Sequence, residues 1–123
     1  LSLMGKPSYE VYEKFVSKFN AASKKAGLEQ YVVPYLMSSH PGSTMKSAER
    51  LATYMQKNRV RSEQVQDFYP TPGTAATVMY YTGVDPFTNR KVYVATSPEE
   101  KRAQRALLGQ KKPTSHRKNR RRK

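Results

Sequence analysis

The sequence predicts an α/β fold built around one strand–helix–strand unit. Two short apolar runs, residues 31–37 and 65–69, have the length and composition of strands. Between them, residues 45–58 carry apolar side chains at helical spacing. A Pro-Gly loop follows each run, at Gly42 and at Gly73. Because strand, helix and strand are joined by short links, the pattern favours two parallel strands joined by a helical crossover.

The first predicted helix begins after Ser8 and ends at Gly27. Serine is a good residue to cap a helix N-terminus, and glycine is a common residue just past its end. Apolar residues recur at helical spacing along the segment, which predicts that one stripe packs on the core. These residues are Tyr12, Phe15, Val16, Phe19 and Ala22.

The run at residues 31–37 shows no apolar–polar alternation, which indicates a strand buried on both faces. Pro34 lies inside it and removes one backbone donor, so we expect the strand at a sheet edge or with a bulge. In the helix that follows, Ser43 or Thr44 is the expected cap. Its predicted buried stripe is Met45, Ala48, Leu51, Ala52 and Met55.

Beyond the second run the signals are mixed. Residues 75–81 are compatible with a helical turn or an extended segment, and residues 91–95 predict a short strand. A last helix is predicted to begin at Ser97-Pro98, with Glu100 completing a capping box, and to end at Gly109. Its predicted apolar face is Ala103, Ala106 and Leu107. We expect a domain at 1–109 and a disordered basic tail at 110–123.

Positive charge is concentrated at the C-terminal end of the chain. The formal net charge is +14, yet all 9 acids lie before residue 101, where the balance is only +3. Tails of this kind attract polyanions, so we expect nonspecific polyanion binding by residues 111–123. A small basic protein that binds nucleic acid through its Lys/Arg-rich tail is therefore one hypothesis for the function.

Cysteine is absent, which excludes disulfides and thiolate metal sites within this chain. No apolar run approaches the roughly 20 residues that a bilayer-spanning helix needs. We therefore expect no membrane contact and a cytoplasmic protein.

The loop after the first run is the best candidate site. Ser38, Ser39 and His40 end the run, and a predicted helix N-terminus follows Gly42. Ligands of α/β sheets bind at the C-terminal ends of strands, and helix N-termini attract anions. An ordinary capped turn, with His40 making a routine hydrogen bond, explains the same residues. Likewise, the aromatic residues at 68, 69, 80 and 81 fit either a stacking surface or the core.

Five segments in order carry a family resemblance: LMGKPS near the start, VPYLMSSHPGST (33–44), EQVQDFYPTPGT (63–74), MYYTGVDP (79–86) and KRAQRALLGQKKP (101–113). Together they resemble the C-terminal part of YgiQ-type radical SAM proteins, up to about Pro113. That resemblance implies a partial (β/α) barrel, with residues 31–37 as its penultimate strand and 65–69 as its last.

In this family a three-cysteine loop on the early strands holds a [4Fe–4S] cluster. The cluster binds S-adenosylmethionine and cleaves it reductively to a 5′-deoxyadenosyl radical. By the resemblance, Ser38, Ser39 and His40 would make polar contacts to S-adenosylmethionine at the barrel mouth. Phe68 and Tyr69 would make apolar or stacking contacts. The resemblance assigns no catalytic residue and no metal ligand to this chain.

The chain departs from the family pattern because it has no cysteine. We therefore expect the C-terminal fragment of a radical SAM enzyme of unassigned substrate, inactive alone because it cannot bind the cluster. Its expected partner is the N-terminal part of the same barrel. A barrel fragment leaves a strand edge unpaired, so we also expect marginal stability and self-association.

Overall fold

The predicted strand–helix–strand unit is present, and the predicted α/β class is confirmed. The structure, a computed structural model, describes residues 1–60, 62 and 64–109. After a short 3-10 helix at Ser2–Met4, the elements are α1 (Tyr9–Lys25), β1 (Leu36–Ser38), α2 (Met45–Lys57), β2 (Val65–Asp67), α3 (Ala75–Thr82) and α4 (Pro98–Leu108). The tail at 110–123, predicted to be disordered and to bind polyanions, lies outside the described residues.

The strands β1 and β2 pair in parallel, as predicted, with Leu36 opposite Val65 and Ser38 opposite Asp67. Each strand has only 3 residues, fewer than predicted. In the described part of the chain β1 pairs with β2 alone, so residues 31–35 run extended beyond the end of the ladder. A strand needs a neighbour to complete its hydrogen bonds, which is why the predicted run is longer than the strand that forms.

One face of the segment at residues 31–37 is exposed, so the prediction of burial on both faces is wrong for this chain. Exposure alternates along the segment, as side chains do along extended backbone. The exposed side chains are Tyr31 (73%), Val33, Tyr35 and Met37. Their alternates are buried or half-buried. The apolar run therefore has one face packed by this chain and one that is uncovered, which we call the open face.

The helix α2 follows its predicted pattern. Thr44 caps it, with Oγ1 accepting a hydrogen bond from the backbone N of Ser47 at 3.2 Å. Ala48 and Met55 of the predicted stripe are buried, and the stripe's other members are half-buried. This helix packs against α4, which also contacts both strands. The buried apolar residues of the small core come from α2, from α4 (Leu108), from α3 (Met79) and from the segment before α4 (Ala95).

The helix α1 does not pack as predicted. Its bounds fit the expected start and stop, but Ser23 is the one residue of this helix that is buried. Phe15 of the predicted stripe is 54% exposed. The Tyr9 ring meets Tyr54 of α2 edge-on, with centroids 4.8 Å apart, so the helix is held near its N-terminal end. Helical periodicity predicted the helix correctly, but the predicted stripe is only half-buried or exposed in the structure.

The C-terminal third of the described chain contains two corrections. Residues 91–95 are not a strand: Lys91 forms one isolated antiparallel bridge with Val84, and the segment joins no β-ladder in the described residues. The predicted apolar face of α4 is also wrong, because Ala103, Ala106 and Leu107 are exposed. The buried positions of α4 are Gln104 and Leu108. Residues 75–81, left open by the sequence, belong to the helix α3.

No helix within the described residues combines the length and apolar character needed to cross a bilayer.

Candidate functional site

The most unusual residue of the structure is Ser39, which directly follows β1. Its φ is +57°, in the left-handed region that costs a non-glycine residue about 1–3 kcal/mol. The residue is 1% exposed, and its hydroxyl Oγ has no hydrogen-bond partner in the part of the chain that the structure describes. Strained backbone and unpaired buried polar atoms both concentrate at functional sites.

Residues 39–44 form the loop that joins β1 to α2, here called the β1–α2 loop. A tight turn closes it, with the backbone N of Ser43 donating to the carbonyl of His40 at 2.8 Å. Gly42 makes this turn with φ +87°, and a Cβ at that position would collide with the side chain of Leu3. The turn therefore favours glycine chiefly because of the positive φ, since the end of the Leu3 side chain can shift to admit a Cβ.

His40 is buried next to Ser39. Its ring Nδ1 lies 2.9 Å from the carbonyl of Pro41, which can only accept, so Nδ1–H is the donor. The neutral ring then presents Nε2 as a hydrogen-bond acceptor. Burial lowers the pKa of His40 below its ordinary value, and the bond to Pro41 opposes that shift. The structure thus favours an uncharged imidazole.

The end of β2 contributes an aromatic side chain to the same place. Phe68 follows β2, and its backbone N donates to the carbonyl of Ser38 at 2.8 Å. Its ring meets the His40 ring edge-on, with centroids 5.1 Å apart. The Tyr80 ring lies 5.6 Å from Phe68, and the ammonium of Lys101 bonds the Tyr80 hydroxyl at 2.9 Å. The two strand ends therefore share one cluster, in which His40 is buried and Phe68 and Tyr80 are half-buried.

The five residues predicted to contact a cofactor do not form a single group. Ser39, His40 and Phe68 lie together, whereas the hydroxyl of Ser38 is engaged by the carboxylate of Asp67. Tyr69 is 80% exposed. The geometry thus gives Ser38 a structural partner, while Ser39 and His40 retain atoms that suit a ligand. Whether these residues bind one stays a prediction.

Two of the loop's other polar groups are already paired. The Ser43 hydroxyl donates to Gln104 Oε1 of α4 at 3.0 Å, and Thr44 Oγ1 caps α2. An anion at the α2 N-terminus would compete with these bonds, so the geometry favours the capped-turn interpretation for this half of the loop. The loop hydroxyl that has no partner in the described residues is that of Ser39.

Sequence reasoning missed the residues that surround the loop from α4. Gln104 is fully buried against Ser43, and Arg105 approaches Asp67 with Nη1 3.3 Å from Oδ2. No local pattern marks these two residues, because Gln and Arg in a helix are usually solvent-exposed. Only the packing of α4 across both strands shows their role.

Within the described residues, no group of three or more His, Cys, Asp or Glu side chains is placed to hold a metal ion. Since the chain also has no cysteine, it offers no thiolate ligand for an iron–sulfur cluster. The expectation that this chain alone holds no metal rests on the absence of cysteine from its sequence.

Comparison with known proteins identifies the relatives of the chain. A family model described as "Domain of unknown function (DUF3362)" matches residues 63–120. A UPF0313 protein of Clostridium botulinum (strain Loch Maree / Type A3) is 57% identical over 108 residues, which are 88% of this chain and 17% of that protein. No solved structure matches.

Two archaeal relatives extend the match. A UPF0313 protein of Methanosarcina mazei is 54% identical over 113 residues, covering 92% of this chain and 18% of the relative. One from Methanocella arvoryzae is 52% identical over 113 residues, covering 92% and 19%. The chain spans less than one fifth of the length of these curated relatives, and the match is consistent with their C-terminal part. By this similarity the chain belongs to the UPF0313 family, the YgiQ-type family that its motifs predicted.

Proposed function

We propose that this chain is the C-terminal portion of a radical SAM enzyme and that the ends of its two strands help to bind S-adenosylmethionine. The observation that carries the proposal is Ser39, whose hydroxyl is buried, unpartnered in the described chain and held on strained backbone. A protein keeps such an arrangement at a cost in stability, and a ligand that accepts or donates a hydrogen bond there accounts for it.

The residues present fit the chemical groups of S-adenosylmethionine. A serine hydroxyl both donates and accepts, so Ser39 suits a ribose hydroxyl, the carboxylate or the ammonium of the ligand. The neutral His40 presents Nε2 to a donor, and Phe68 beside it supplies the apolar ring that an adenine favours. Within this proposal, these three side chains bind and orient the ligand.

The cluster does not fit this chain, because its thiolate ligands are missing. In the proposed parent protein, residues outside this chain would hold a [4Fe–4S] cluster, which would supply one electron for the cleavage of S-adenosylmethionine to methionine and a 5′-deoxyadenosyl radical. Everything assigned to the present residues precedes that chemistry: they hold the ligand, and they exclude water from it by burial.

The open face supports the idea that a larger barrel covers this chain. Tyr31, Val33, Tyr35 and Met37 lie on one side of the segment that leads into β1. Apolar side chains in a row on an unpaired strand normally pack against further elements of the same sheet. More than four fifths of each relative lies outside the match, which is ample chain for the remaining strands. We therefore propose the N-terminal part of the same barrel as the partner of this face.

The experiment that tests the proposal uses the full-length parent protein. After anaerobic reconstitution with iron and sulfide, it is reduced with dithionite in the presence of S-adenosylmethionine, and 5′-deoxyadenosine is measured by mass spectrometry. We expect the parent to form 5′-deoxyadenosine and residues 1–123 alone to form none. A parent that takes up no cluster, or that holds a reduced cluster and leaves S-adenosylmethionine intact, contradicts the proposal.

A further inference from the structure

The helix α4 contacts the β1–α2 loop through a buried amide that the proposed function does not use. Gln104 is 0% exposed, although glutamine is normally a surface residue. Its Nε2 donates to the backbone carbonyl of Ser43 at 2.9 Å, and its Oε1 accepts from the Ser43 hydroxyl at 3.0 Å. Both ends of the amide are thus satisfied by one residue of the loop.

This paired arrangement fixes position more than it adds stability. A buried polar group that exchanges water for protein partners gains little net free energy, and an apolar side chain of similar size would fill the same space. The amide differs from an apolar side chain in direction: its donor and acceptor are both satisfied only when Ser43 lies in one place. Ser43 in turn closes the turn on His40, through its backbone N.

A further connection, through Glu100 and Tyr93, joins α4 to the same stretch of chain. The carboxylate of Glu100 accepts from Gln104 Nε2 at 3.3 Å and from the Tyr93 hydroxyl at 2.5 Å. The Tyr93 carbonyl accepts from the backbone N of Gly42 at 2.7 Å. Thus Glu100 and Gln104, one turn apart on α4, are connected to both Gly42 and Ser43.

The other side of the loop is linked in a similar way. Arg105 of α4 pairs with Asp67, and Asp67 accepts from the Ser38 hydroxyl. The strained Ser39 therefore lies between Ser38 and Ser43. The helix α4 bonds Ser43 directly and reaches Ser38 through Asp67. Strain of this kind persists only where the surroundings over-determine it.

We propose that Gln104 is a positioning residue: from α4 it holds the β1–α2 loop in the conformation that buries Ser39 and His40. Its importance for ligand binding rests on the proposed function, whereas its control of the loop does not. A C-terminal helix thereby determines whether the end of β1 is shaped to receive a ligand.

The test follows the His40 ring of the 123-residue chain by proton NMR during a pH titration. His40 and His116 are the only histidines, so a His116→Asn background leaves His40 as the single imidazole signal. In Gln104→Leu the loop loses its anchor and His40 gains water. We expect its pKa to rise toward the ordinary value of about 6.5 and the Ser39 amide signal to move.

Matched variants separate positioning from general stability. Leu108→Ala removes a buried side chain one turn further along α4, so it should lower the melting temperature and leave the His40 titration as in wild type. Arg102→Ala, on the exposed side of α4, should change neither. Ser43→Ala removes only the hydroxyl bond and should shift the His40 titration in the same direction by a smaller amount, without unfolding the chain.

The proposal is overturned if Ser43→Ala and Gln104→Leu lower the melting temperature as Leu108→Ala does while the His40 pKa and the Ser39 amide signal stay at their wild-type values. If Gln104→Leu does not fold, an unchanged His40 titration in Ser43→Ala overturns it alone. No S-adenosylmethionine is present, so a shift of His40 supports positioning even where the parent protein fails to bind that ligand.

Discussion

The ring of His40 meets the ring of Phe68 edge-on, with centroids 5.1 Å apart and planes inclined by 73°. One residue follows β1 and the other follows β2, so the contact joins the C-terminal ends of two parallel strands. The strained Ser39 lies directly before His40. This contact defines the candidate site more narrowly than the motifs do, because it selects three of the five predicted residues.

Replacing Ser39 by alanine is expected to stabilise the chain. The change removes a buried hydroxyl without a partner in the described structure, which costs about 1–3 kcal/mol. Ser39→Gly should stabilise further, because glycine adopts the positive φ without strain. Urea unfolding followed by circular dichroism measures the free energy of unfolding for each variant.

The neighbouring serine provides the control. Ser38 is equally buried but its hydroxyl bonds Asp67, so Ser38→Ala should destabilise the chain by about 1 kcal/mol. Opposite signs for two adjacent serines would support the assignment of Ser39 as a residue that sacrifices stability for function. Equal destabilisation by both changes would show that Ser39 has a structural partner.

Stability is expected to fall as the pH decreases through the histidine range. Burial lowers the pKa of His40 in the folded chain, whereas the unfolded chain keeps a value near about 6.5. Between the two values the unfolded state binds more protons, so the contribution of neutral His40 is full above about pH 6.5 and lost below the folded pKa. Urea unfolding at several pH values measures the slope.

His40→Asn is the matched variant for this measurement. An asparagine amide can donate to the Pro41 carbonyl as Nδ1–H does, but it does not titrate in this range. The variant should therefore lose the part of the pH slope below about pH 6.5 that belongs to His40. If wild type and variant have the same slope, the low pKa of His40 is not a property of the folded chain.

The open face is expected to make the isolated chain associate. Light scattering over a range of concentrations should show an average mass that rises with concentration, because Tyr35 and its neighbours expose apolar area beside β1, whose second edge is unpaired in the described residues. Tyr35→Lys should reduce the association. Phe87→Lys, which changes an even more exposed aromatic residue outside the open face, should not. A wild-type chain that stays strictly monomeric at high concentration contradicts this expectation.

Nucleic-acid binding, the other hypothesis from the sequence, depends on residues 110–123. We expect weak, salt-sensitive binding of generic DNA by the full chain, with an affinity that falls steeply as salt is raised. The variant ending at residue 109 should lose it, since its 15 Lys/Arg and 9 Asp/Glu leave a balance of only +6, against +14 for the full chain. Fluorescence anisotropy at two salt concentrations measures the DNA affinity of the full chain and of the shortened chain. Strong binding by the shortened chain would favour a nucleic-acid role for the folded body.

The features that the sequence predicted correctly depend on local chemistry. Thr44 and Ser97 cap helices where the patterns placed them, and the α2 stripe at Ala48 and Met55 is buried. Caps and helical periodicity involve residues three or four apart, so a single sequence contains them. Parallel pairing of β1 and β2 followed from the short helical crossover between them.

The features that it did not predict depend on distant contacts. Nothing near Gln104 in the chain indicates that it meets Ser43, 61 residues earlier. The same limitation explains α1, whose apolar stripe is only half-buried or exposed in the described chain. The left-handed conformation of Ser39 is likewise invisible in its residue type, since serine is not a residue that favours positive φ.

The central claim is that the end of β1 binds S-adenosylmethionine in the full-length parent, and equilibrium titration of that ligand tests it most directly. We predict that Ser39→Ala and His40→Ala each weaken binding by about tenfold, the loss of roughly 1.4 kcal/mol. The matched changes Ser17→Ala and His116→Ala should leave the dissociation constant as in wild type. Unchanged affinity in both Ser39→Ala and His40→Ala would contradict the claim.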